Sequence, residues 1–216
     1  MGHPATVGTA CQTLAQRMIK VAILSKSYGD TQVLGRVEFA VQAGETVALV
    51  GPSGIGKSTI LRIVAGIDGA FEGQVERPDA AAIVFQEPTL LPWRSALDNL
   101  LLTCPGLKRD AALHALDRVG LAGKDKEFPG QLSLGQQRRL SLARAFAGRP
   151  GMLILDEPFV SLDPHMADTM MTLTEDLIAE ARPATLLVTH AEAEANRLAD
   201  RVLRLQGDPA TLKAES

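Results

Sequence analysis

The stretch from Val47 to Leu61 constrains the fold most, because an apolar strand in it runs into a glycine-rich turn and then into a helix. The turn reads GPSGIGKST and fits the pattern G-x-x-x-x-G-K-[ST] of a phosphate-binding loop, or P-loop. In such a loop, backbone N–H groups surround phosphate, and the positive N-terminal end of the helix points at the anion. The stretch therefore predicts a site for a nucleoside triphosphate and Mg²⁺.

The residues of this loop are expected to divide between wrapping the phosphates and holding the metal. Lys57 would reach the outer phosphates, and the Ser58 hydroxyl would bind Mg²⁺. A glycine-rich loop with an accidental lysine is the alternative, and the flanking strand and helix argue against it. The predicted cofactor contacts in the loop are Gly51, Pro52, Ser53, Gly54, Ile55, Gly56, Lys57, Ser58 and Thr59.

Composition limits the class of protein. The 216 residues support one domain, and 46% hydrophobic with 22% charged residues is ordinary for a soluble globular protein. The net charge of −3 argues against nucleic acid as the main partner, since a basic face would shift that balance. Cys11 and Cys104 lie far apart without a neighbouring Cys/His cluster, so neither a disulfide framework nor a zinc site is indicated. No apolar run approaches the roughly 20 residues that cross a bilayer, so we expect a cytoplasmic protein.

The amino-terminal part of the chain is predicted to be a β subdomain. Residues 19–27 and 33–41 alternate and carry many β-branched positions, so they predict a β-hairpin with its turn at Tyr28-Gly29-Asp30. Residues 46–50 predict the buried strand that enters the P-loop. Residues 1–17 show no clear periodicity and are expected to form a disordered extension.

After Gln86 the pattern changes from strands to helices. Apolar residues recur at helical spacing over Ser95–Leu102, Asp110–Val119 and Leu134–Ala147, which predicts a helical lobe at about 88–148. From Met152 strands and helices alternate, which predicts a parallel sheet with ligands at the carboxyl ends of its strands. The predicted fold class is an α/β P-loop NTPase core with a mixed or parallel sheet, an N-terminal antiparallel β subdomain and an inserted helical subdomain. One domain over 18–216 would contain all of it.

Two adjacent carboxylates, Asp156 and Glu157, follow the apolar strand 152–155. Beside a P-loop, one acid is placed to hold Mg²⁺ and the next to act on water. We expect Asp156 in the outer shell of the metal, and Glu157 to orient or deprotonate the water that attacks the γ-phosphate. A solvated pair of acids at a strand end is the ordinary alternative, and the P-loop earlier in the chain argues against it.

The order of the motifs is informative as a set. In the segment LSLGQQRR, Ser133 predicts a helix N-cap, and Gln136 three residues later completes a capping box. The whole order resembles that of the ATP-binding cassette (ABC) ATPases, and the resemblance covers residues from about 19 to 206. Along the chain, the motifs occur in the order P-loop, Gln86, LSLGQ, Asp156-Glu157, Ser161-Leu162-Asp163 and Thr189-His190.

The resemblance implies an ATPase that uses Mg²⁺, with further roles assigned residue by residue. Tyr28 matches the aromatic residue that stacks on adenine. Because stacking tolerates different bases, GTP is an alternative substrate. Gln86 matches the loop glutamine that touches Mg²⁺ or its water, and Asp163 matches the loop that crosses to the opposite subunit. His190 matches the switch histidine that bonds the γ-phosphate. The implied catalytic residues are Glu157, His190 and Lys57, and the implied metal ligands are Ser58, Gln86 and Asp156.

The resemblance also implies a homodimer, or a pair of cassettes, that sandwiches two ATP molecules. The P-loop of one copy would hold ATP, and Ser133, Gly135 and Gln136 of the second copy would close over the γ-phosphate. The family pattern is usually LSGGQ, but position 134 is leucine here, so the backbone cannot approach phosphate as freely. We expect binding and turnover to persist, with an effect on the rate or on dimer affinity.

The segment 85–100 resembles the FQ…LLPW…A..N pattern of importer ATPases for nitrate, sulfonate, taurine and related solutes. Leu90, Leu91, Pro92 and Trp93 would then form an apolar patch that receives a permease helix. Internal packing of the same residues in the helical lobe is the alternative. The implied subunit is peripheral to the cytoplasmic side of the inner membrane, with a transmembrane permease and, indirectly, a solute-binding protein as partners.

Other members of the family stay possible at this point. An ABC ATPase of an export system, or of lipid or haem delivery, would share every catalytic motif. A soluble ABC ATPase outside transport would be expected to carry paired cassettes, a long coiled coil or basic arms, which the sequence lacks.

Overall fold

A computed structural model describes residues 18–213 as two β-sheets with α-helices around them. The strands are β1 (Ile19–Tyr28), β2 (Thr31–Leu34), β3 (Val37–Val41), β4 (Thr46–Val50), β5 (Glu72–Glu76), β6 (Ala81–Val84), β7 (Met152–Asp156), β8 (Ala184–Thr189), β9 (Arg201–Gln206) and β10 (Thr211–Leu212). The helices are α1 (Lys57–Val64), α2 (Ala96–Leu101), α3 (Arg109–Arg118), α4 (Leu134–Ala147), α5 (Pro164–Ala181) and α6 (Glu192–Leu198). The extension predicted at residues 1–17 lies outside the described residues.

The first sheet is antiparallel and is organised around β1. Strands β3 and β5 pair with its first part, and β2 pairs with its end, where Tyr28 lies opposite Thr31. The prediction of one continuous strand over 33–41 is wrong, because the chain breaks after Leu34 into β2 and β3. At the break, Gly35 donates a backbone hydrogen bond to Ala210 near the far end of the chain. This long-range contact leaves no local signal in the sequence.

The second sheet has the strand order β10-β9-β4-β8-β7-β6. All its strands are parallel except β10, which pairs antiparallel with β9 and was not predicted. Both faces of β4 are buried, which explains its unbroken apolar sequence. Val47 and Leu49 face the core shared with the first sheet, whereas Ala48 and Val50 face the core under the helices. The predicted fold class is confirmed.

Helices α2, α3 and α4 lie between β6 and β7 in the chain, where the helical lobe was predicted. Helix α4 has the predicted bounds, and its N-terminus carries the predicted capping box. Ser133 Oγ accepts from the N–H of Gln136 at 3.3 Å, and Gln136 Oε1 accepts from the N–H of Ser133 at 3.0 Å. The division of the chain into domains stays a prediction. Within residues 18–213, no helix combines the length and apolar character that crossing a bilayer requires.

Asn99 fixes the segment between β6 and α2 from inside the helical lobe. Its side chain is buried, and its amide oxygen accepts a hydrogen bond from the N–H of Leu91 at 2.8 Å. Its amide nitrogen lies 3.2, 3.1 and 3.0 Å from the carbonyl oxygens of Leu91, Arg94 and Ser95. The loop therefore has a defined shape, with Trp93 exposed on it.

Replacing Asn99 with alanine is expected to lower the free energy of unfolding by about 2–3 kcal/mol, because several backbone groups lose their partner at once. Denaturation in guanidinium, followed by circular dichroism, measures the change. Asn196→Ala, at an exposed position of α6, is the matched control and should change stability by less than about 0.5 kcal/mol. Equal stabilities of the two variants would contradict the role of Asn99.

Candidate functional site

Four loops meet at one edge of the parallel sheet because neighbouring strands pair in register. Val50, the last residue before the P-loop, lies opposite Thr189 at the end of β8. Asp156 at the end of β7 lies opposite Val188, and Val84 at the end of β6 lies opposite Leu155. The P-loop, the acid pair, His190 and Gln86 all follow these strand ends. The structure thus brings together predicted residues from four separate parts of the chain.

The P-loop leaves backbone donors free at the N-terminus of α1. Its N-cap, Gly56, has a left-handed backbone and offers no side chain to cap the helix. The N–H groups of Lys57, Ser58 and Thr59 therefore have no intrahelical acceptor, as an anion site requires. The Ser58 side chain is exposed, whereas the Thr59 side chain is buried. Thr59 therefore offers its backbone N–H to the site.

Lys57 lies folded over the loop that it is predicted to serve. Its side chain is buried, and its Nζ donates to the carbonyl oxygens of Gly51 at 2.8 Å and Pro52 at 3.0 Å. These carbonyls hold the ammonium group within the loop, where it adds to the positive potential of the helix end. A phosphate chain bound in the loop would therefore meet Lys57 already in place.

The β1–β2 hairpin packs directly on the P-loop. A Cβ atom added to Gly56 would lie 2.7 Å from Leu34 Cδ2 and 3.4 Å from Val33 Cγ1, so only glycine allows this contact. Tyr28 lies at the end of the same hairpin, opposite Thr31, and is 47% exposed. The predicted base-stacking residue is thereby placed on the hairpin that borders the phosphate loop.

Glu157 and His190, two of the predicted catalytic residues, lie next to each other at this edge of the sheet. Glu157 Oε1 lies 3.4 Å from His190 Nδ1, and the Glu157 side chain is mostly buried while that of His190 is half-exposed. The backbone of Glu157 is left-handed, with φ of 46°, and its N–H donates to the carbonyl oxygen of Val188 at 2.8 Å. Such a backbone is rare for a residue other than glycine and is found at sites where geometry is fixed for function.

Asp156 stands in a mixed electrostatic environment. Burial raises its pKa above the ordinary value, and the neighbouring Glu157 carboxylate raises it further. The positive charges of Arg62 and Lys57 act in the opposite direction. A cation bound beside Asp156 would offset the cost of its buried negative charge.

The residues at this edge fit a magnesium ion. Ser58, Gln86 and Asp156 offer hydroxyl, amide and carboxylate oxygens, which are the ligands that Mg²⁺ prefers. Over residues 18–213, the structure shows no group of three or more His, Cys, Asp or Glu side chains that could hold a metal ion. The oxygen donors at this edge therefore favour a hard cation.

The LSLGQ segment lies apart from the P-loop and beside Asp163. A Cβ atom added to Gly135 would lie 2.9 Å from Met166 Cε, so glycine is needed where α4 meets α5. Asp163 caps α5 and accepts a hydrogen bond from the N–H of Met166 at 3.0 Å. Ser133 and Leu134 are exposed next to this contact, Leu134 at 54%. Helix α4 packs on α2, α3, α5 and β6, whereas α1 packs on β7 and β8.

Thr189 and Arg138 belong to motifs that the sequence analysis quoted, but their supporting contacts were not predicted. Thr189 Oγ1 donates to Glu194 at 2.6 Å and accepts from the N–H of Ala191 at 3.0 Å, which fixes the loop around His190. Arg138 in α4 is buried and donates to the carbonyl oxygens of Pro158 and Val160 at 3.0 and 3.1 Å. Arg138 thereby ties the LSLGQ helix to the chain that follows Glu157. A Thr and a Glu five residues apart gave a weak local signal, and Arg138 gave none.

Comparison with known proteins decides the family. Residues 34–160 match the family model described as ABC transporter. The chain belongs to the ABC transporter family. It carries the ATP-binding, ATP-hydrolysing cassette, and the predicted family and enzyme class are confirmed.

Relatives and solved structures agree with this assignment. An aliphatic sulfonates import ATP-binding protein from Nocardia farcinica is 45% identical over 88% of this chain and 80% of that protein. A protein of the same description from Burkholderia lata is 40% identical over 100% of this chain and 82% of that protein. A dimeric bacterial ABC transporter cassette is 30% identical, with a TM-score of 0.77 over 92% of this chain and 97% of that one. A dimeric post-hydrolysis state bound to ADP and Pi is 28% identical over the same shares, with a TM-score of 0.75.

The packing of the hairpin on Gly56 can be separated from the backbone preference for glycine. Gly54 and Gly56 both have positive φ, but a Cβ atom at Gly54 would meet nothing within 4 Å. Gly54→Ala is expected to cost about 1–2 kcal/mol of stability from its backbone alone. Gly56→Ala should cost about 1–3 kcal/mol more, because the added methyl group collides with Leu34.

Thermal or chemical unfolding of the two variants measures the difference. Adding Leu34→Ala to Gly56→Ala should return part of the loss, since the colliding Cδ2 atom is then absent. Equal costs at positions 54 and 56 would show that the contact with Leu34 is unimportant.

Proposed function

We propose that this cassette hydrolyses ATP to power the import of a small solute, with an aliphatic sulfonate or a similar small anion as cargo. The observation that carries the proposal is the sheet edge where the P-loop, the acid pair and His190 meet. Relatives at 40–46% identity are named as aliphatic sulfonates import ATP-binding proteins, which supports this choice of cargo. The match of segment 85–100 to the importer pattern supports it as well.

In this proposal the P-loop binds the triphosphate through donors that are already in place. The free N–H groups of α1 face the phosphates, and Lys57 exchanges its carbonyl partners for the outer phosphate oxygens. When bound, Mg²⁺ neutralises charge on those oxygens. Ser58, Gln86 and Asp156 would hold it, and its positive charge would offset the burial that raises the pKa of Asp156. Tyr28 would stack on the base.

Glu157 and His190 are proposed to serve the hydrolytic step itself. Glu157 would orient a water molecule in line with the γ-phosphate and accept its proton. His190 lies 3.4 Å from this carboxylate and would bridge it to the γ-phosphate. The left-handed backbone at Glu157 and the Thr189–Glu194 hydrogen bond fix both side chains, which suits a reaction that depends on alignment.

A second copy of the chain is proposed to complete each site. The exposed Ser133 and the LSLGQ segment lie with Asp163 on one part of the molecule, while the P-loop lies on another. Head-to-tail pairing of two copies would bring Ser133, Gly135, Gln136 and Asp163 of one copy to the P-loop of the other. The dimeric state of the related cassettes supports this arrangement. The added helix N-terminus would place positive potential where charge develops.

Replacing Glu157 with glutamine tests the proposed base and the proposed dimer together. We expect phosphate release to fall by about 10²- to 10⁴-fold, the usual contribution of a general base. With ATP and Mg²⁺, the variant should accumulate as a dimer in gel filtration, because closure continues while hydrolysis stops. Glu76→Gln, an exposed glutamate paired with Lys20, is the control and should behave like the parent. A Glu157→Gln variant that stays monomeric with ATP would count against the dimer.

An exposed surface next to the Gln86 loop is proposed to receive the permease. Leu90 packs partly against the core under the helices, so internal packing accounts for this part of the predicted patch. Trp93 is 68% exposed, and Leu102 is exposed as well. Exposed apolar side chains suit contact with a helix of another protein.

The proposed setting is the cytoplasmic side of the inner membrane, where the cassette would attach through this surface to a transmembrane permease. A solute-binding protein would deliver the cargo to the permease and would not touch the cassette. Two ATP molecules bound between paired cassettes would power each complex.

Trp93→Ala is expected to leave the ATPase activity of the isolated cassette within about twofold of the parent, since Trp93 lies outside the phosphate site. In a complex reconstituted with the permease and binding protein, the variant should lose most sulfonate-stimulated hydrolysis, because truncating a central aromatic anchor typically costs about 2 kcal/mol or more. Phe128→Ala, another exposed aromatic, is the control. Unchanged stimulation in the Trp93 variant would remove this surface from the proposal.

A further inference from the structure

Two charged side chains, Lys26 and Asp68, hold the ring of Tyr28. The Tyr28 hydroxyl donates a hydrogen bond to Asp68 Oδ2 at 2.9 Å. The Lys26 ammonium lies 4.4 Å from the ring centroid, within the range of a cation–π contact. One end and one face of the ring are therefore held, and the opposite face is left for a flat ligand.

Lys26 is an unusual residue to find inside a protein. Only 3% of it is exposed, although lysine is almost never fully buried unless it is paired. Its Nζ lies 2.9 and 2.7 Å from the two oxygens of Asp68 and 2.7 Å from the carbonyl oxygen of Ala70. The contact between the ammonium group and the ring shows that Lys26 and Tyr28 lie on the same side of β1. The buried charge is thus placed under the ring.

Asp68 is the common partner of both side chains. Hydrogen bonds from Lys26, from the backbone N–H of Ala70 and from the Tyr28 hydroxyl lower its pKa to about 2. Asp68 is therefore ionised at neutral pH, and it can hold the ammonium and the phenol at the same time. Substitution by a neutral residue would weaken both contacts.

The loop that carries Asp68 is attached to the helix of the P-loop. The N–H groups of Ile67 and Asp68 donate to the carbonyl oxygen of Arg62, at 2.8 and 3.1 Å, in the last turn of α1. The other end of α1 carries the free N–H groups that suit phosphate. A continuous series of contacts therefore joins the phosphate end of α1 to the Tyr28 ring. The ring and the phosphate loop are held at a fixed separation.

We propose that Lys26 and Asp68 are positioning residues for the nucleotide base, which hold the open face of Tyr28 against a purine whose phosphates lie in the P-loop. The inference rests on the proposed ATP site and on stacking by Tyr28. A ring that is already immobile loses little freedom when a base binds, so the two charged residues raise affinity without touching the nucleotide. Stacking reads the face of a base and not its edge, so the effect applies to ATP and GTP alike.

Tyr28→Phe is the first test, because it keeps the ring and removes only the hydrogen bond to Asp68. The KM for ATP is expected to rise about fivefold, because a ring without this hydrogen bond must be ordered when the base binds, while kcat changes by less than twofold. GTP should show the same rise. Binding of tripolyphosphate with Mg²⁺, measured by calorimetry, should not change, because this probe has no base. A general loss of structure would weaken tripolyphosphate binding too.

Asp68→Asn and the double variant Tyr28→Phe with Asp68→Asn complete the test. Both single variants weaken the Tyr28–Asp68 hydrogen bond, and Asp68→Asn also weakens the ion pair with Lys26. Because one contact is shared, the effects on the KM for ATP should be clearly less than multiplicative in the double variant. If Asp68→Asn proves too unstable to assay, Tyr28→Phe alone decides. An unchanged KM for ATP in Tyr28→Phe overturns the inference, and so do fully multiplicative effects in the double variant.

Tyr28→Ala separates this inference from the proposed ATP site. Stacking of a base on an aromatic ring typically contributes about 1–3 kcal/mol, so the KM for ATP should rise roughly tenfold or more. A large rise in Tyr28→Ala with none in Tyr28→Phe would refute positioning while keeping the stacking site. No rise in Tyr28→Ala would refute the stacking site, and the inference would fall with it.

Discussion

The in-register parallel pairing of β4, β8, β7 and β6 is the constraint on which the site depends. Each strand is followed by a loop with one part of the chemistry, and register alone puts the four loops at the same edge. The two faces of β4, β7 and β8 pack in different cores. A slip by one residue would exchange the faces and put each side chain into the core that was packed for its neighbour. The cores therefore align the site.

Charge and strain are concentrated at this edge. Asp156 is a partly buried carboxylate beside another carboxylate, and Glu157 has a left-handed backbone. Both features cost stability, and the surrounding sheet offsets that cost. By contrast, the buried Lys26 is fully matched by Asp68. Negative charge is thus concentrated at the proposed metal site, whereas the charge beside the Tyr28 ring is paired.

The predicted nucleotide contacts in the LSLGQ segment and at Asp163 lie on a different surface from the P-loop. Gly135 allows α4 to approach α5, which brings the LSLGQ segment next to Asp163 and away from α1. Arg138 connects this surface to the chain after Glu157 through two backbone carbonyls. A chain that carries its predicted nucleotide contacts on two separate surfaces is suited to pairing with a second copy. Leu134 is exposed on the second surface, where the pairing would be sensitive to its size.

Much of this protein was determined by its sequence. Local patterns were sufficient for the P-loop, the acid pair, most strands and helices, and the capping box at Ser133, because each depends on neighbours within a few residues. Tertiary structure decided the break after Leu34, the pairing of β10, the hydrogen bonds of Asn99 and Arg138, and the hold on Tyr28 by Lys26 and Asp68. Most of these contacts join residues far apart in the chain. A buried lysine under an aromatic ring also leaves no periodic pattern in the sequence. Such contacts exist only once two cores have closed around them, because burial is what makes an unpaired charge or amide costly.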